Sequence, residues 1–222
     1  MSEDEVHVRI SSRFSTALLR RYVRSKLSTD PLYAAVADRL RDHGHPVVDV
    51  GCGMGLTECY LREHGYSGPI AGVDYDERKI AEASRVCASY ADLEFAIADA
   101  VGAIRRGSSV LLLDVLHYLG SREQVQLLES CAEAVPVGGV VIIRDAVQDG
   151  SWRYRLTYFE ETFALTVRWL KAARLNFPRR ELVVEPFARR GFDVEVTPLW
   201  GRTPFNNYLF VFRRTASGRT NE

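Results

Sequence analysis

Three glycines separated by single residues form the pattern in this 222-residue chain that most clearly indicates chemistry. Residues 51–55 read Gly-Cys-Gly-Met-Gly, directly after the apolar run 47–50 and before a helical pattern from Leu56 to His64. A backbone without side chains lets a ligand lie against a strand end, where the amide groups of the helix start face it. Because a tight turn explains the same pattern, the glycines alone are a weak signal of ligand binding.

Acidic residues after the next two apolar runs strengthen this signal. Asp74 follows the run 70–73 and lies 19 residues beyond Gly55, about the spacing at which a carboxylate accepts hydrogen bonds from ribose hydroxyls. Asp99 follows a third apolar run, where it could meet an adenine amino group. Asp76 is expected only to cap the next helix. The glycine loop, its helix and Asp74 together predict a ligand that contains a nucleoside.

The residues leave the function of such a nucleoside site partly open. The GxGxxG fingerprint of dinucleotide sites has a third glycine where this chain has Leu56, and no substrate domain follows the core. These features disfavour a nicotinamide-dependent oxidoreductase but do not exclude this class of enzyme. A non-catalytic module that binds the cofactor as a partner or regulator is a second alternative, which no residue excludes.

Composition and charge exclude several classes of protein. The 46% apolar and 26% charged fractions are ordinary for a globular domain, and Lys+Arg balance Asp+Glu at 29 each. A chain without basic excess is not expected to bind nucleic acid. No apolar stretch reaches the roughly 20 residues of a membrane span, and the N-terminus does not resemble a secretory signal, so a cytoplasmic location is expected.

The cysteines are expected to be free, buried thiols of a reducing compartment, because they form neither a CxxC pair nor a Cys/His cluster. They are Cys52, Cys59, Cys87 and Cys131. No grouping of carboxylates and histidines has the spacing of metal ligands, so no metal is expected.

The elements that must position these residues follow from hydrophobic periodicity. Continuous Val/Ile/Leu runs alternate with amphipathic helical patterns, which is typical of a parallel sheet covered on both faces. The predicted fold class is therefore α/β, with a doubly wound sheet. The predicted strands are residues 47–50, 70–73, 93–97, 110–113, 140–143, 192–196 and 206–212.

A single domain is expected over residues 1–222. It comprises an N-terminal helical cap (1–44), a cofactor-binding core (45–145), an inserted lid helix (151–175) and the C-terminal part of the sheet (176–214). The cap is predicted to hold two helices over residues 13–43, separated at Asp30-Pro31. Ser121 has capping-box spacing to Gln124 ahead of a helix, and residues 178–190 are predicted to form the helix before the sixth strand.

Several segments together resemble the motifs of class I S-adenosylmethionine (SAM)-dependent methyltransferases. They are residues 47–55, 73–74, 97–100, 113–119 and 137–139. The resemblance covers roughly residues 45–145, and its combination of motifs is specific although no single motif is. It implies a Rossmann-like seven-stranded sheet with an antiparallel last strand, SAM as the cofactor and methyl transfer as the reaction.

The resemblance also implies roles for individual residues. Asp49, Gly51 and Gly53 would hold the amino acid end of the cofactor, Asp74 would bind the ribose, and Asp99 with Ala100 would flank the adenine. The predicted cofactor site also contains Cys52, Tyr75 and Asp114.

The flanks are similar to bacterial methyltransferases found with aryl polyene and related fatty-acid-like pathways. The segments that carry this narrower resemblance are 30–33, 151–153 and 198–207. It implies a carrier-bound or free aromatic or acyl acceptor.

Methyl transfer requires alignment of the acceptor with the methyl group and removal of a proton where the acceptor carries one. His117, after the fourth strand, is the predicted base because histidine titrates near neutral pH. Tyr118 is a weaker catalytic candidate. Hydrogen bonding of His117 to the cofactor or the adjoining loop is the alternative interpretation.

Acceptor-binding residues are predicted after the fifth strand and on the inserted helix. They are Arg144, Trp152, Arg155 and Tyr158. An internal ion pair is an equal alternative for Arg144 and Asp145, and the apolar stripe of the inserted helix is as readily explained by packing. An aromatic-rich cover would suit an apolar or aromatic acceptor. Oxygen and carbon atoms of the acceptor are both open as methylation sites.

A basic excess is confined to residues 151–190, which hold nine arginines and lysines against four glutamates. A solvated helix face is one explanation. The other is a docking surface for an anionic carrier, such as an acyl carrier protein or a coenzyme A thioester. A homodimer is also open, with residues 169–170 and the N-terminal helices as a candidate interface.

Overall fold

The structure, a computed structural model, describes residues 2–166, 175–201 and 204–216. Its helices are α1 (Glu3–Ser12), α2 (Ala17–Thr29), α3 (Leu32–Leu40), α4 (Leu56–Glu63), α5 (Glu77–Cys87), α6 (Ser121–Ala134), α7 (Trp152–Thr166) and α8 (Arg180–Ala188), with a 3₁₀ turn at Leu116–Tyr118. Its strands are β1 (Val47–Val50), β2 (Ile70–Asp74), β3 (Leu93–Ile97), β4 (Ser109–Leu113), β5 (Val140–Ala146), β6 (Asp193–Pro198) and β7 (Asn207–Arg213).

The strands form one seven-stranded sheet in the order β3-β2-β1-β4-β5-β7-β6. Strands β1 to β5 are parallel to one another, whereas β7 runs antiparallel to both β5 and β6. The strand order reverses between β1 and β4, and such a switch point leaves a crevice at the carboxyl ends of the strands. The predicted α/β sheet with an antiparallel last strand is confirmed.

Helices cover both faces of the sheet, which explains why the central strands are apolar throughout. On one face, α3 packs Leu32, Val36 and Leu40 against β1, β4 and β5. On the other face, α6 and α8 contribute Leu128 and Phe187 to a cluster with the alternate residues of the same strands. Side chains on either face of β1, β4 and β5 are therefore removed from water, and this burial is the main source of the stability of the fold.

The N-terminal cap contains three helices where the sequence predicted two. The missed helix, α1, begins at a capping box in which Ser2 and Glu5 hydrogen-bond each other's backbone amides. The predicted break is present, because Asp30 ends α2 and its carboxylate accepts a hydrogen bond from the Leu32 amide. The two helices predicted over residues 13–43 are therefore confirmed, and only α1, which precedes them, was missed.

Two other helix boundaries differ from the prediction. Helix α6 is capped at Gly120, whose amide donates to the Glu123 carboxylate, so the predicted cap at Ser121 is one residue too late. Helix α7 is described to Thr166, and the predicted continuation of the lid lies outside the described residues. Among the described residues, no helix is long and apolar enough to cross a membrane.

Candidate functional site

The glycine loop turns the chain from the end of β1 into α4 across the end of β2. Gly51, Gly53 and Gly55 have φ angles of +81°, +58° and +77°, in the left-handed region that glycine adopts without a steric penalty. The amides of Gly51 and Cys52 both donate to the carbonyl of Val73, at 2.7 and 3.0 Å. The loop that follows β1 is therefore anchored to β2, on the other side of β1 from the switch point.

Asp74 joins the end of β2 to this loop. Its buried carboxylate accepts hydrogen bonds from the amides of Gly53, at 3.1 Å, and Asp76, at 2.9 Å. Lys79 places its ammonium 3.7 Å from the same carboxylate. Tyr75 follows and is largely exposed at the mouth of the crevice. The structure thus brings together residues that the sequence assigned to one nucleoside site.

The residues predicted beside an adenine lie at the carboxyl end of β3. Asp99 is exposed, and its carboxylate accepts hydrogen bonds from the amides of Val101 and Gly102. Ala100 is half-buried next to it. Asp99 therefore stabilises its own turn in this structure, and its contact with an adenine stays a prediction.

A pair of buried carboxyl groups lies behind the glycine loop. Asp49, on β1, and Glu58, in the first turn of α4, are each 1% exposed. Within the described part of the chain, none of their four carboxyl oxygens accepts a hydrogen bond. Burial raises the pKa of Asp49 to about 7, and the charge of Asp74 adds to the effect. Burial, and then the charge of Asp49, raises the pKa of Glu58 well above its ordinary range.

This pair makes the stability of the protein depend on pH in an unusual direction. Both folded-state pKa values lie above those of the unfolded chain, so the folded protein retains a proton that the unfolded chain has lost. The free energy of unfolding should therefore fall as pH rises from about 4 to 7, by up to about 1.4 kcal/mol per pH unit for one retained proton. The window follows from the shift of Asp49 from 3.8 to about 7.

Urea unfolding of the wild type and of Glu58→Gln across this window measures the effect. Glutamine has the shape of a protonated glutamic acid and can donate to Asp49 at every pH, so the wild type should lose stability relative to the variant as pH rises. If the free energies of unfolding of the wild type and the variant changed equally with pH, the retained proton would be contradicted. Asp76 and Glu82, which are held by arginines and whose pKa values are about 2, affect stability only at lower pH.

The other half of the crevice is formed after β4 and β5. His117 lies in the 3₁₀ turn that follows β4 and is 2% exposed. Its Nδ1 lies 2.7 Å from a carboxylate oxygen of Asp145, near the end of β5. Asp145 also accepts hydrogen bonds from the amides of His117 and Ala146. A carboxylate acceptor at Nδ1 fixes the proton on that nitrogen, so Nε2 is the nitrogen that can accept a proton.

An aromatic wall surrounds His117. The ring of Phe177 stacks on His117 with their centroids 5.2 Å apart, and Tyr118 lies 4.0 Å from His117 on another side. Tyr154 and Tyr158, on α7, contact Phe177 at 5.8 and 6.1 Å. The amide of Asn176 donates to the His117 carbonyl, which ties this wall to the 3₁₀ turn. The base candidate is therefore enclosed by rings.

Arg144 forms the internal ion pair that the sequence left open. It is buried, and its guanidinium lies 2.7 Å from the carboxylate of Asp30 and 2.9 Å from that of Asp114. Burial lowers the pKa of Arg144, but Asp114 and Asp30 raise it more, so it is above its ordinary value. Asp114 is held at φ +62°, an uncommon conformation for a residue other than glycine. A role for Arg144 in acceptor binding stays a prediction.

The predicted lid residues differ in their positions. Trp152 is 63% exposed, and the guanidinium of Arg153 lies between it and Trp200, 4.8 and 4.5 Å from the two rings. Arg155 is exposed as well. Only Tyr158, of the predicted acceptor-binding residues on α7, contacts the aromatic wall. The side chains of residues 160–174 lie outside the described part of the structure.

Sequence reasoning missed several residues that the structure places in the site. Glu58 resembled an ordinary first-turn acid, and its position three residues after Gly55 was the signal that could have found it. For Asp145 the sequence left open an internal ion pair or a contact with the acceptor, and its pairing with His117 is visible only in the structure. Phe177 belongs to no sequence motif that would have indicated its position in the site.

Comparisons with known proteins agree with this geometry. Residues 47–139 match a family described as a methyltransferase domain. Eugenol O-methyltransferase of Sorghum bicolor is 35% identical over 102 residues, which is 46% of this chain and 26% of the relative. A probable scoulerine-9-O-methyltransferase of Papaver somniferum is 37% identical over 123 residues, 54% of this chain and 33% of the relative. The chain thus spans about a third or less of the length of these relatives.

Solved structures share the fold of this chain. Magnesium protoporphyrin IX methyltransferase from Synechocystis, with bound SAH, superposes with a TM-score of 0.65 at 18% identity, covering 94% of this chain and 93% of the other. An O-methyltransferase family protein from Burkholderia thailandensis gives 0.69 at 16% identity, with 96% and 64% covered. The chain has the class I methyltransferase fold. The family match places the methyltransferase domain over the segment that contains the glycine loop, Asp74 and His117, as the motifs predicted.

Two further expectations concern cysteines and metals. All four cysteines are buried and free, with the sulfurs of Cys59 and Cys87 3.1 Å apart. Among the described residues, no three histidine, cysteine or carboxylate side chains form a group that could hold a metal ion.

Proposed function

We propose that this chain is a SAM-dependent methyltransferase that methylates an oxygen of a small aromatic acceptor. The observation that carries the proposal is the His117–Asp145 pair, enclosed by rings at the same sheet edge as the glycine loop. One half of the crevice has the features of a nucleoside site and the other half has a base. Methylation of an oxygen that carries a proton uses both.

The residues of the glycine loop fit the proposed cofactor. A Cβ atom at Gly53 would meet no other atom within 4 Å, so the loop faces open space there. Buried oxygens of Asp49 that accept no hydrogen bond are suited to the ammonium of an amino acid. Asp74, at the end of β2, is the proposed acceptor for ribose hydroxyls. When bound, SAM supplies a methyl group on a positively charged sulfur.

The task of the protein is then to align the acceptor oxygen and to remove its proton. Asp145 orients His117 and stabilises its protonated form, while Nε2 of His117 accepts the proton of a phenol. Phe177 and Tyr158 form an apolar surface against which a flat ring can pack. Exclusion of water by this wall strengthens the interaction between His117 and Asp145.

The curated relatives support oxygen as the methylated atom. The names of the Sorghum bicolor and Papaver somniferum proteins both specify O-methyl transfer. The resemblance to methyltransferases of aryl polyene pathways suggests an alternative acceptor, an aromatic or acyl group bound to a carrier. Of the basic residues that motivate it, Arg189 and Arg190 pair with Glu129, and Arg168, Lys171 and Arg174 lie outside the described residues.

The first experiment tests whether the chain binds SAM-type ligands or a nicotinamide cofactor. Thermal unfolding is followed with SAH in one sample and NADH in another. Ligand at about 100 times its dissociation constant adds roughly 2.7 kcal/mol, which raises the Tm of a chain of this size by several degrees. We expect a shift with SAH alone. A shift with NADH alone would contradict the proposal and indicate an oxidoreductase.

The acceptor is identified by transfer of labelled methyl from SAM. The panel contains simple phenols, the same compounds with the hydroxyl already methylated, and pantetheine thioesters of hydroxylated aromatic acids. Labelling of the phenols but not of their methyl ethers shows that the free hydroxyl is required, and acid-stable aryl methyl ether in the product, rather than a ring-methylated phenol, supports an oxygen acceptor. Labelling of thioesters alone would support a carrier-bound substrate, and SAH binding with no transfer to any acceptor would favour a non-catalytic module. The cytoplasmic location and the homodimer stay predictions.

A further inference from the structure

The buried pair of Asp49 and Glu58 has a feature that the proposed function does not use. Asp49 alone suffices to meet one ammonium, yet a second carboxyl group lies beside it, equally buried and equally without a hydrogen-bond donor. Two adjacent carboxylates in a site closed to water cannot both be ionised at low cost. One proton held between the two groups supplies the donor that neither receives from the rest of the protein.

The surrounding charged groups do not remove this requirement. Asp74 adds negative charge, and Lys79 is paired with Asp74. Arg62, one turn beyond Glu58, donates to the carbonyls of Tyr66 and Gly68. Among the described residues, no lysine, arginine or histidine forms an ion pair with Asp49 or Glu58.

The remaining groups near the pair are thiols. Cys52 lies in the glycine loop, where burial and the charges of Glu58, Asp49 and Asp74 raise the pKa of its thiol, so it stays protonated and neutral. Cys59 follows Glu58 on α4 and contacts Cys87. These thiols therefore supply no positive charge to the pair.

We propose that Asp49 and Glu58 act together as a proton-releasing receptor for the ammonium group of the cofactor, so that binding of SAM or SAH expels the proton held between them. This inference rests on the proposed function, because the cation is that of the cofactor's amino acid end. The step balances as follows: the protonated pair and the cationic ligand give the ionised pair with the ligand bound, and one proton passes to solvent. Glu58 is a positioning residue for the cofactor, not a catalytic one.

The proposal predicts a particular pH dependence of cofactor affinity. Below the pKa of the free pair, the ligand must displace a proton, so the affinity for SAH should rise with pH by up to about tenfold per unit and level off once the free pair is ionised. 5′-Methylthioadenosine lacks the amino acid end of SAH. Its affinity should not change with pH over the same range.

Calorimetric titration of the full chain with SAH, in buffers of different ionisation enthalpy, counts the protons released. We expect up to about one proton per SAH near pH 6 for the wild type, and none for 5′-methylthioadenosine. Glu58→Gln keeps the shape of the protonated pair and can donate to Asp49, so it should bind SAH without release. The matched control is Glu77→Gln, an exposed first-turn glutamate of the next helix, which should behave as the wild type.

The outcomes separate this inference from the function on which it rests. SAH binding by the wild type without proton release, or unchanged release in Glu58→Gln, would overturn the proton-releasing role of the pair. Neither result would contradict the proposed methyltransferase function. Failure of the wild type to bind SAH at all would overturn both. The wild-type pH series needs no variant, so a folding defect in Glu58→Gln would not hide the answer.

Discussion

Replacement of His117 by glutamine is expected to lower kcat for a phenolic acceptor by about 10²- to 10⁴-fold, the usual contribution of a general base. Glutamine can still donate a hydrogen bond to Asp145, which is 2.7 Å from the histidine ring, but it cannot accept a proton at neutral pH. The affinity for SAH should change little, because the glycine loop and Asp74 are not altered. Single-turnover transfer of labelled methyl measures the chemical step directly.

The acidity of the acceptor provides the sharper test of this role. A base is needed only while the acceptor oxygen carries a proton, so the loss in His117→Gln should shrink for strongly acidic phenols that are ionised already. A loss of equal size for all phenols would show that His117 orients the acceptor or the 3₁₀ turn instead. His45→Gln is the control, since His45 precedes β1 at the opposite edge of the sheet.

Replacement of Gly53 by alanine is expected to reduce SAH affinity by at least about tenfold, with only a small loss of stability. An alanine at φ +58° costs roughly 1–2 kcal/mol of strain, but its Cβ would meet no atom of the protein within 4 Å. The added methyl group projects into the space that the proposed cofactor needs against the loop. Calorimetry with SAH measures the affinity, and urea unfolding measures the stability.

Two other glycines separate strain from steric exclusion. Gly65, at the far end of α4, has φ +86° and equally open surroundings, so Gly65→Ala should show the same strain with unchanged SAH affinity. At Gly51 a Cβ would lie 2.5 Å from a methyl carbon of Val115, so Gly51→Ala should destabilise the fold as well. If Gly53→Ala and Gly65→Ala both bind SAH as the wild type does, the loop does not contact the cofactor.

The sheet and the nucleoside half of the crevice were predictable from the sequence for a local reason. The strands are short continuous apolar runs because each is buried on both faces, and this pattern is visible within four or five residues. Parallel strands bring their carboxyl ends to one edge, so the position of Asp74 beside the glycine loop followed from the order of elements. The end of α2 at Asp30 followed from the residue before a proline.

The cap helices show where local reasoning failed. Helix α1 has few apolar residues, and only its Val6 and Ile10 are buried apolar side chains. It is stabilised by its capping box and by docking on α2 and α4, and the docking is not visible in its own periodicity. A polar segment of this kind is helical because of what it packs against.

The sequence by itself determined the sheet, the glycine loop and the candidate base, because hydrophobic period, turn chemistry and capping depend on neighbours within a few residues. Only the tertiary structure decided the partners of those residues. The register of β4 against β5 brings Asp145, 28 positions away, onto His117, and packing of α4 on the sheet buries Glu58 beside Asp49. Such pairings depend on how elements dock over long chain separations, and side-chain charges and pKa values follow from the burial that docking creates.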